Sequence, residues 1–197
     1  VVDVGAGSAY FSRELAALGP GASLLCVDPN YDSDSSDADG RVRMVREATD
    51  TDLKDADLLL FIDVLEHVDD DVALLRQYLD GRCPGTVALI TVPAFESIWS
   101  GHDEFLGHLR RYTLAGLERV VEEAGLVVVR GRYLYGSIFP IAWLVRRLHR
   151  SRVGASDLAV LPRPVDRFLR LVLGIEHAVR WNRLFGLSAF VVVKVPS

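Results

Sequence analysis

The residues best suited to chemistry begin at the first position of the chain. Val1-Val2-Asp3-Val4 is an apolar strand that runs into a Gly5-Ala6-Gly7 turn, and a second apolar strand, Ser23-Leu24-Leu25-Cys26-Val27, stops at Asp28-Pro29. Glycines after the first strand let the backbone approach a ligand closely, and a carboxylate at the tip of the second accepts hydrogen bonds from both ribose hydroxyls. A dinucleotide site would carry a third glycine where this chain has Tyr10, and no Gly-Lys-Ser/Thr cradle or lysine cluster follows. The pattern points to a ligand with a ribose and no phosphate. Farther on, Asp63-Val64-Leu65-Glu66-His67 follows an apolar run, and His102 and His108 fall in a long connection that also holds Trp99, Arg111 and Tyr112. An imidazole near its ordinary pKa is suited to taking a proton from a hydroxyl. A long, irregular connection directly after a sheet strand is costly unless it serves a site.

The elements that must position these groups alternate between strand and helix. Tyr10 to Leu18 reads as the first helix, ended by Gly19-Pro20-Gly21, and the acidic stretch Asn30 to Gly40 reads as a loop. Val42–Val45, Asp57–Ile62 and Thr86–Val92 read as strands, the middle one fully apolar as central parallel strands are. Asp71 to Leu79 is a helix, and Thr113 caps another whose Leu114, Leu117, Val120, Val121 and Ala124 form one apolar stripe before Gly125. Leu126–Tyr135 and Ala189–Val195 are the last two strands. Such alternation gives an α/β, doubly wound, mostly parallel sheet with helices on both faces. The expectation is a single domain over residues 1–197, with 136–187 as a helical cap inserted before the last strand.

The motifs resemble those of the class I S-adenosylmethionine-dependent methyltransferases, in their type 11/12, ubiquinone-type branch. Asp3, Gly5 and Gly7 match the first motif, D/E-x-G-x-G-x-G, while Ala9 replaces its third glycine, a departure of small cost unless the turn needs positive φ there. Asp63-Val64-Leu65-Glu66-His67-Val68 is similar to the D-V-L-E-H-V run of many small-molecule methyltransferases. The stretch from Val92 to Thr113 is similar to V-P-A…W-S-x-H-D-x-x-x-G-H-x-R-R-Y-T in a bacterial branch of these enzymes. The resemblance implies a Rossmann-like sheet of seven strands with an antiparallel final hairpin, S-adenosylmethionine as methyl donor and S-adenosylhomocysteine as product. It places Asp3, Gly5, Ala6, Gly7, Asp28, Pro29, Asp63 and Val64 at the cofactor. Trp99, Arg111 and Tyr112 fall at the substrate, and His102 and His108 are the bases. The implied reaction is methyl transfer to a small-molecule or lipid-linked acceptor, more at oxygen than elsewhere. Some related O-methyltransferases hold a divalent cation with E-x-x-E-H and a later histidine. Here Asp63 shortens the leading position, the run is also common in metal-free relatives, and no metal is expected. A nicotinamide-dependent oxidoreductase and a non-catalytic scaffold binding a partner or membrane are the competing readings. Tyr10 weighs against the first, and the intact Gly5, Gly7 and Asp28 against the second.

Composition agrees with one self-sufficient core: 197 residues, half of them hydrophobic, with two cysteines that suggest neither a disulfide framework nor a metal knuckle. A reducing cytoplasm is the expected compartment. The chain opens directly in a strand without a starting Met, as a trimmed chain would. Between Ile141 and Leu184 nine arginines face Asp157, Asp166 and Glu176, in a chain whose net charge is −5. The remainder is therefore strongly acidic, which argues against nucleic acid as a partner. Asp166 to Leu184 reads as a basic amphipathic helix with Phe168, Leu171, Val172, Ile175 and Val179 on one face; with Trp143 and Trp181 it suits either a cap over the site or peripheral contact at the inner membrane face.

Overall fold

The computed structural model describes residues 1–19, 21–148 and 182–196 and, between the last two spans, Arg167, 172–174 and Glu176. Its elements, in order, are β1 (Val2–Val4), α1 (Tyr10–Leu18), β2 (Leu24–Val27), β3 (Ser35–Ser36), β4 (Val42–Val45), α2 (Asp50–Leu53) and β5 (Leu58–Ile62). There follow α3 (Asp71–Leu79), β6 (Val87–Pro93), α4 (Gly101–Leu106), α5 (Leu114–Glu123), β7 (Val127–Leu134), α6 (Phe139–Leu148) and β8 (Ser188–Lys194). Short 3-10 turns at Leu65–His67 and Glu96–Ile98 follow β5 and β6.

One sheet runs in the order β3-β4-β2-β1-β5-β6-β8-β7. Strands β4, β2, β1, β5 and β6 are mutually parallel, whereas β8 is antiparallel to both β6 and β7. The two faces follow the period-2 alternation of strands. Leu24 and Cys26 pack under α1 with Ala9, Ala16 and Val42, while Leu25 and Val27 join the larger core with Leu59, Phe61, Leu75 and Ile90. Local rules set the helix ends. Asp70 accepts the Ala73 amide at 2.8 Å to start α3, and Thr113 accepts the Gly116 amide at 3.0 Å to start α5. The α5 stripe is buried at Leu114, Leu117 and Val121.

The doubly wound sheet is as the sequence predicts, with an eighth strand added. Ser35–Ser36, inside the stretch read as a loop, pairs antiparallel with Arg43 and Met44 of β4. Both serines are exposed, so no apolar pattern marks this strand in the sequence. Of the 136–187 insertion, α6 is helical, and Glu176 accepts the Gly136 and Ser137 amides at 2.6 and 3.0 Å. The basic helix expected over Asp166–Leu184, with Trp181, lies largely outside the described residues. Cys26 is buried and Cys83 exposed, both as free thiols. Among the described residues, no helix is long and apolar enough to cross a membrane.

Candidate active site

The chain runs from β1 outward to β2 and β4 and then returns to β5 on the other side of β1, so the strand order reverses beside β1. In an open α/β sheet ligands bind at this reversal, beyond the carboxyl ends of the strands. A cavity of about 770 Å³ opens there, lined among others by Gly5, Asp28, Pro29, Asp63, Val64 and His67. Gly5 is left-handed at φ 69, and a Cβ there would stand 2.7 Å from Val64 Cγ2, so only glycine fits against Val64, two residues past β5. Asp28 joins two loops: its Oδ2 accepts the Gly7 amide at 2.8 Å and its Oδ1 the Asn30 amide at 2.9 Å.

The other residues of the first motif have different tasks. Asp3 is buried beneath the loop and accepts the Ser12 hydroxyl at 2.8 Å, bracing α1 against β1; burial raises its carboxyl and that hydrogen bond partly offsets the rise. Ala6 packs against the smaller core cluster rather than lining the cavity. Ala9, which stands for the third motif glycine, is left-handed at φ 56, so the turn does need positive φ and the alanine is held there at a conformational cost.

A second cavity, about 270 Å³, adjoins the first; Asp63, His67 and Leu106 line both. Its walls include Glu66, Ile98, His102, His108, Arg111 and Arg146. Asp63 takes a left-handed conformation at φ 53, and its Oδ1 accepts the Thr91 hydroxyl at 3.2 Å. Burial raises its carboxyl, against the lowering pull of Thr91, His108, His67 and Arg111.

Behind the His108 and Arg111 side of this cavity lies Asp103, with no exposed side-chain surface. Its Oδ1 accepts Arg111 Nε and Nη2, each at 2.7 Å, and meets His108 Nδ1 at 2.8 Å, while its Oδ2 accepts the Ser100 amide at 2.8 Å. Burial alone would raise this carboxyl, but the Arg111 charge and the hydrogen bonds hold it below its ordinary value. An ionised carboxylate only accepts, so Nδ1 of His108 carries a proton, and in the neutral ring the lone pair is on Nε2. Nε2 faces Glu66, 3.9 Å from Oε1. Glu66 is fully buried, and among the described residues neither of its carboxylate oxygens has a hydrogen-bond partner; burial and then the Asp63 charge push it up to about 8. His67 packs edge-on against the His108 ring at 4.9 Å between centroids, and burial followed by the His108 charge lowers its pKa. His102 Nδ1 is buried and also lacks a partner.

Of the residues expected at the substrate, Arg111 reaches the cavity wall, but its guanidinium is committed to Asp103 and to the Ala94 carbonyl at 2.9 Å. Tyr112 is buried away from the cavity: its hydroxyl donates to Asp71 Oδ2 at 2.8 Å and approaches the Leu65 carbonyl at 3.1 Å. Trp99 is half-buried and does not line the cavity; Ile98 beside it does. Asp103 escaped the sequence reading, although Ser100-x-x-Asp103 carries a capping-box signature that places it at the start of a helix. Arg46 and Glu47, just past β4, also line the larger cavity, and their signal was their place at the carboxyl end of a parallel strand.

A reversed-order, mostly parallel sheet with an antiparallel last pair is the fold of the class I methyltransferases. The model of the methyltransferase domain family matches residues 1–130, and the chain belongs to that family. No curated protein sequence matches it. Among solved structures, the methyltransferase in complex with the Trm112 methyltransferase activator of Haloferax volcanii is similar over 100% of this chain and 81% of its own, at 17% identity and a TM-score of 0.58. Phosphoethanolamine N-methyltransferase 2 of Haemonchus contortus, in complex with S-adenosyl-L-methionine, is similar over 100% of this chain and 48% of its own, at 15% identity and a TM-score of 0.58. A SAM-dependent methyltransferase of Archaeoglobus fulgidus is similar over 98% and 84%, at 16% identity and a TM-score of 0.55. Likeness at these identities shows the fold. The family takes its methyl group from S-adenosylmethionine, and the larger cavity, with a paired carboxylate at Asp28 and a glycine-floored wall at Gly5, fits a nucleoside.

Proposed function

We propose that this chain methylates an oxygen of a small-molecule or lipid-linked acceptor seated in the smaller cavity, with S-adenosylmethionine in the larger one. The observation that carries the reading is the shared wall: Asp63, His67 and Leu106 border both cavities, so a donor methyl and an acceptor atom can meet there. S-adenosylmethionine supplies a sulfonium-bound methyl group that is already activated, which leaves the protein to align, to exclude water and to receive a proton. Asp28 accepts hydrogen bonds from the ribose hydroxyls, and the Gly5 and Gly7 turn admits the rest of the nucleoside. Two imidazoles are placed to take the acceptor's proton, His108 through Nε2 and His102 through its unpartnered Nδ1. Ile98, Leu106 and Leu187 give the acceptor an apolar wall. Exposed Ile141, Leu144 and Val145 on α6, followed by the arginine-rich stretch, support a lipid-linked acceptor met at a cytoplasmic membrane face.

Calorimetric titration with S-adenosylhomocysteine, with NADH as the comparison, tests the donor. Micromolar binding of the former alone is expected; binding of NADH in its place would return the fold to the oxidoreductases. Methyl transfer from labelled S-adenosylmethionine into hydroxylated acceptors, soluble and lipid-linked, then tests the oxygen.

A further inference from the structure

Helix α6 is apolar on two sides, and the fold uses one of them. At about 3.6 residues per turn, Phe139 and Arg146 fall on one side and Ile141, Leu144 and Val145 on the other. The first side faces the protein. The Phe139 ring meets Phe95 and Phe185 at 5.4 and 5.6 Å between centroids, and Arg146 Nη1 donates to the Ile98 carbonyl at 3.0 Å. The second side faces outward, with Ile141 66% and Leu144 51% exposed. A helix on the surface of a globular protein ordinarily turns charged and polar residues outward. Phe185, itself exposed, and its neighbour Leu184, 80% exposed, add apolar surface beside the start of the helix. Clustered exposed apolar side chains mark an interaction surface.

Charge selects what that surface meets. From Ala124 to Ser156 the sequence holds six arginines and no acidic residue, in a chain whose net charge is −5, and Arg146, Arg147, Arg150 and Arg152 follow directly on the exposed stripe. A second copy docking through the same face would set arginine against arginine, since a two-fold contact brings a patch onto itself. An anionic bilayer offers both complements at once, headgroup charge for the arginines and an acyl layer for the apolar side chains. We propose that the outer face of α6 docks this chain on an anionic lipid bilayer, and that the smaller cavity receives its acceptor from that surface. Arg146 and Leu187 wall that cavity, so the docked helix is also one side of the acceptor's seat. The cavity, at about 270 Å³, is below the roughly 300–1,000 Å³ of pockets that enclose drug-sized ligands. It takes a polar head while a lipid chain stays in the bilayer. This inference rests on the methyl-transfer reading and deepens it by naming the surface from which the acceptor is drawn.

The probe is vesicles of phosphatidylcholine, alone or mixed with phosphatidylglycerol, co-sedimented with the full chain. Partition onto the mixed vesicles is expected to be at least about tenfold stronger. It is lost as salt rises from about 0.1 to about 1 M and the screening length contracts from about 10 to about 3 Å. Ile141→Glu and Leu144→Glu each weaken it at least about tenfold, whereas Leu18→Glu, the same charge placed on exposed α1, changes it less than about twofold. No binding, equal binding to both vesicles, equal weakening by Leu18→Glu, or binding that survives Ile141→Glu and Leu144→Glu overturns the proposal. A dimer in sedimentation that Leu144→Glu dissolves also overturns it and assigns the face to a second copy. All three side chains are exposed, so their substitution does not threaten the core. S-adenosylhomocysteine affinity, measured on the same proteins without vesicles, reports separately on the donor site, so failure of one reading is distinguishable from failure of the other.

Discussion

Replacing Asp103 with asparagine removes one charge and little volume from the hub of the site. The carboxylate is fully buried, and the side chain of its partner Arg111 is only 4% exposed. Arg111 would be left as an uncompensated buried cation, and His108 would lose the acceptor for Nδ1. Breaking a buried ion pair by removing one partner destabilises by about 3–5 kcal/mol. The asparagine oxygen can still accept the Ser100 amide, so the capping contribution is retained and the lower half of that range, about 3 kcal/mol, is expected. With a urea slope of about 2 kcal/mol/M, the unfolding midpoint falls by roughly 1.5 M, readable from the fluorescence of the three tryptophans. The effect depends on pH with a defined sign. Asp103 is held below its ordinary value of 3.8, so the stability it contributes is full above that value and fades as pH falls through its lower, folded value. The gap between wild type and variant therefore narrows in strong acid. A midpoint shift below about 0.5 M at neutral pH, equivalent to about 1 kcal/mol, would refute the view that this pair is a buried, charge-dependent hub.

Gly5→Ala combines a left-handed backbone with a Cβ 2.7 Å from Val64 Cγ2; a loss of about 2–4 kcal/mol of stability is expected from backbone strain and overpacking together, with loss of S-adenosylhomocysteine binding by calorimetry. Asp28→Ala should weaken S-adenosylhomocysteine by roughly 1–3 kcal/mol, the scale of a charge-assisted hydrogen-bonding partner, and unchanged affinity would place the ribose elsewhere. His108→Ala should lower turnover at least tenfold with little change in S-adenosylhomocysteine affinity; equal turnover in a labelled-methyl assay would remove His108 from the mechanism.

The sheet was legible because its central strands are buried on both faces and therefore read as unbroken apolar runs, and because Thr113, Gly125 and Asp70 carry helix-end chemistry. Gly5 and Asp28 were legible for a similar reason: the turn geometry and the strand tip restrict which residues can stand there. The strand at Ser35–Ser36 was not, since backbone pairing at a solvated edge needs no side-chain pattern. The loop after β6 was only half legible. Its histidines and arginine were visible as residue types, but which of them touches the cavity depends on partners distant in sequence. Tyr112 is drawn into the core by Asp71 and the Leu65 carbonyl, and Arg111 is claimed by Asp103. Neither pairing leaves a periodic trace. The convergence of Glu66 with His108 likewise appears only after the loop has folded back on the turn that follows β5.

That folding back divides the smaller cavity into two kinds of wall. On one side Leu109 bonds to the Glu66 carbonyl, Arg110 to the carbonyls of Val68 and Asp69, and Tyr112 to Leu65, so the loop and the 3-10 turn form one stitched body. On the other side Leu106, Arg146 and Leu187 come from α4, α6 and the approach to β8; the Arg146 side chain reaches the Ile98 carbonyl at 3.0 Å, and the Leu187 backbone carbonyl accepts the Ala94 amide at 2.8 Å. A change of side chain in the second wall reshapes the smaller cavity without loosening a single stitch of the first. On the proposed reading, diversification of acceptor choice, by selection or in the laboratory, has its cheapest route through Leu187 and α6, which line the smaller cavity and not the larger one.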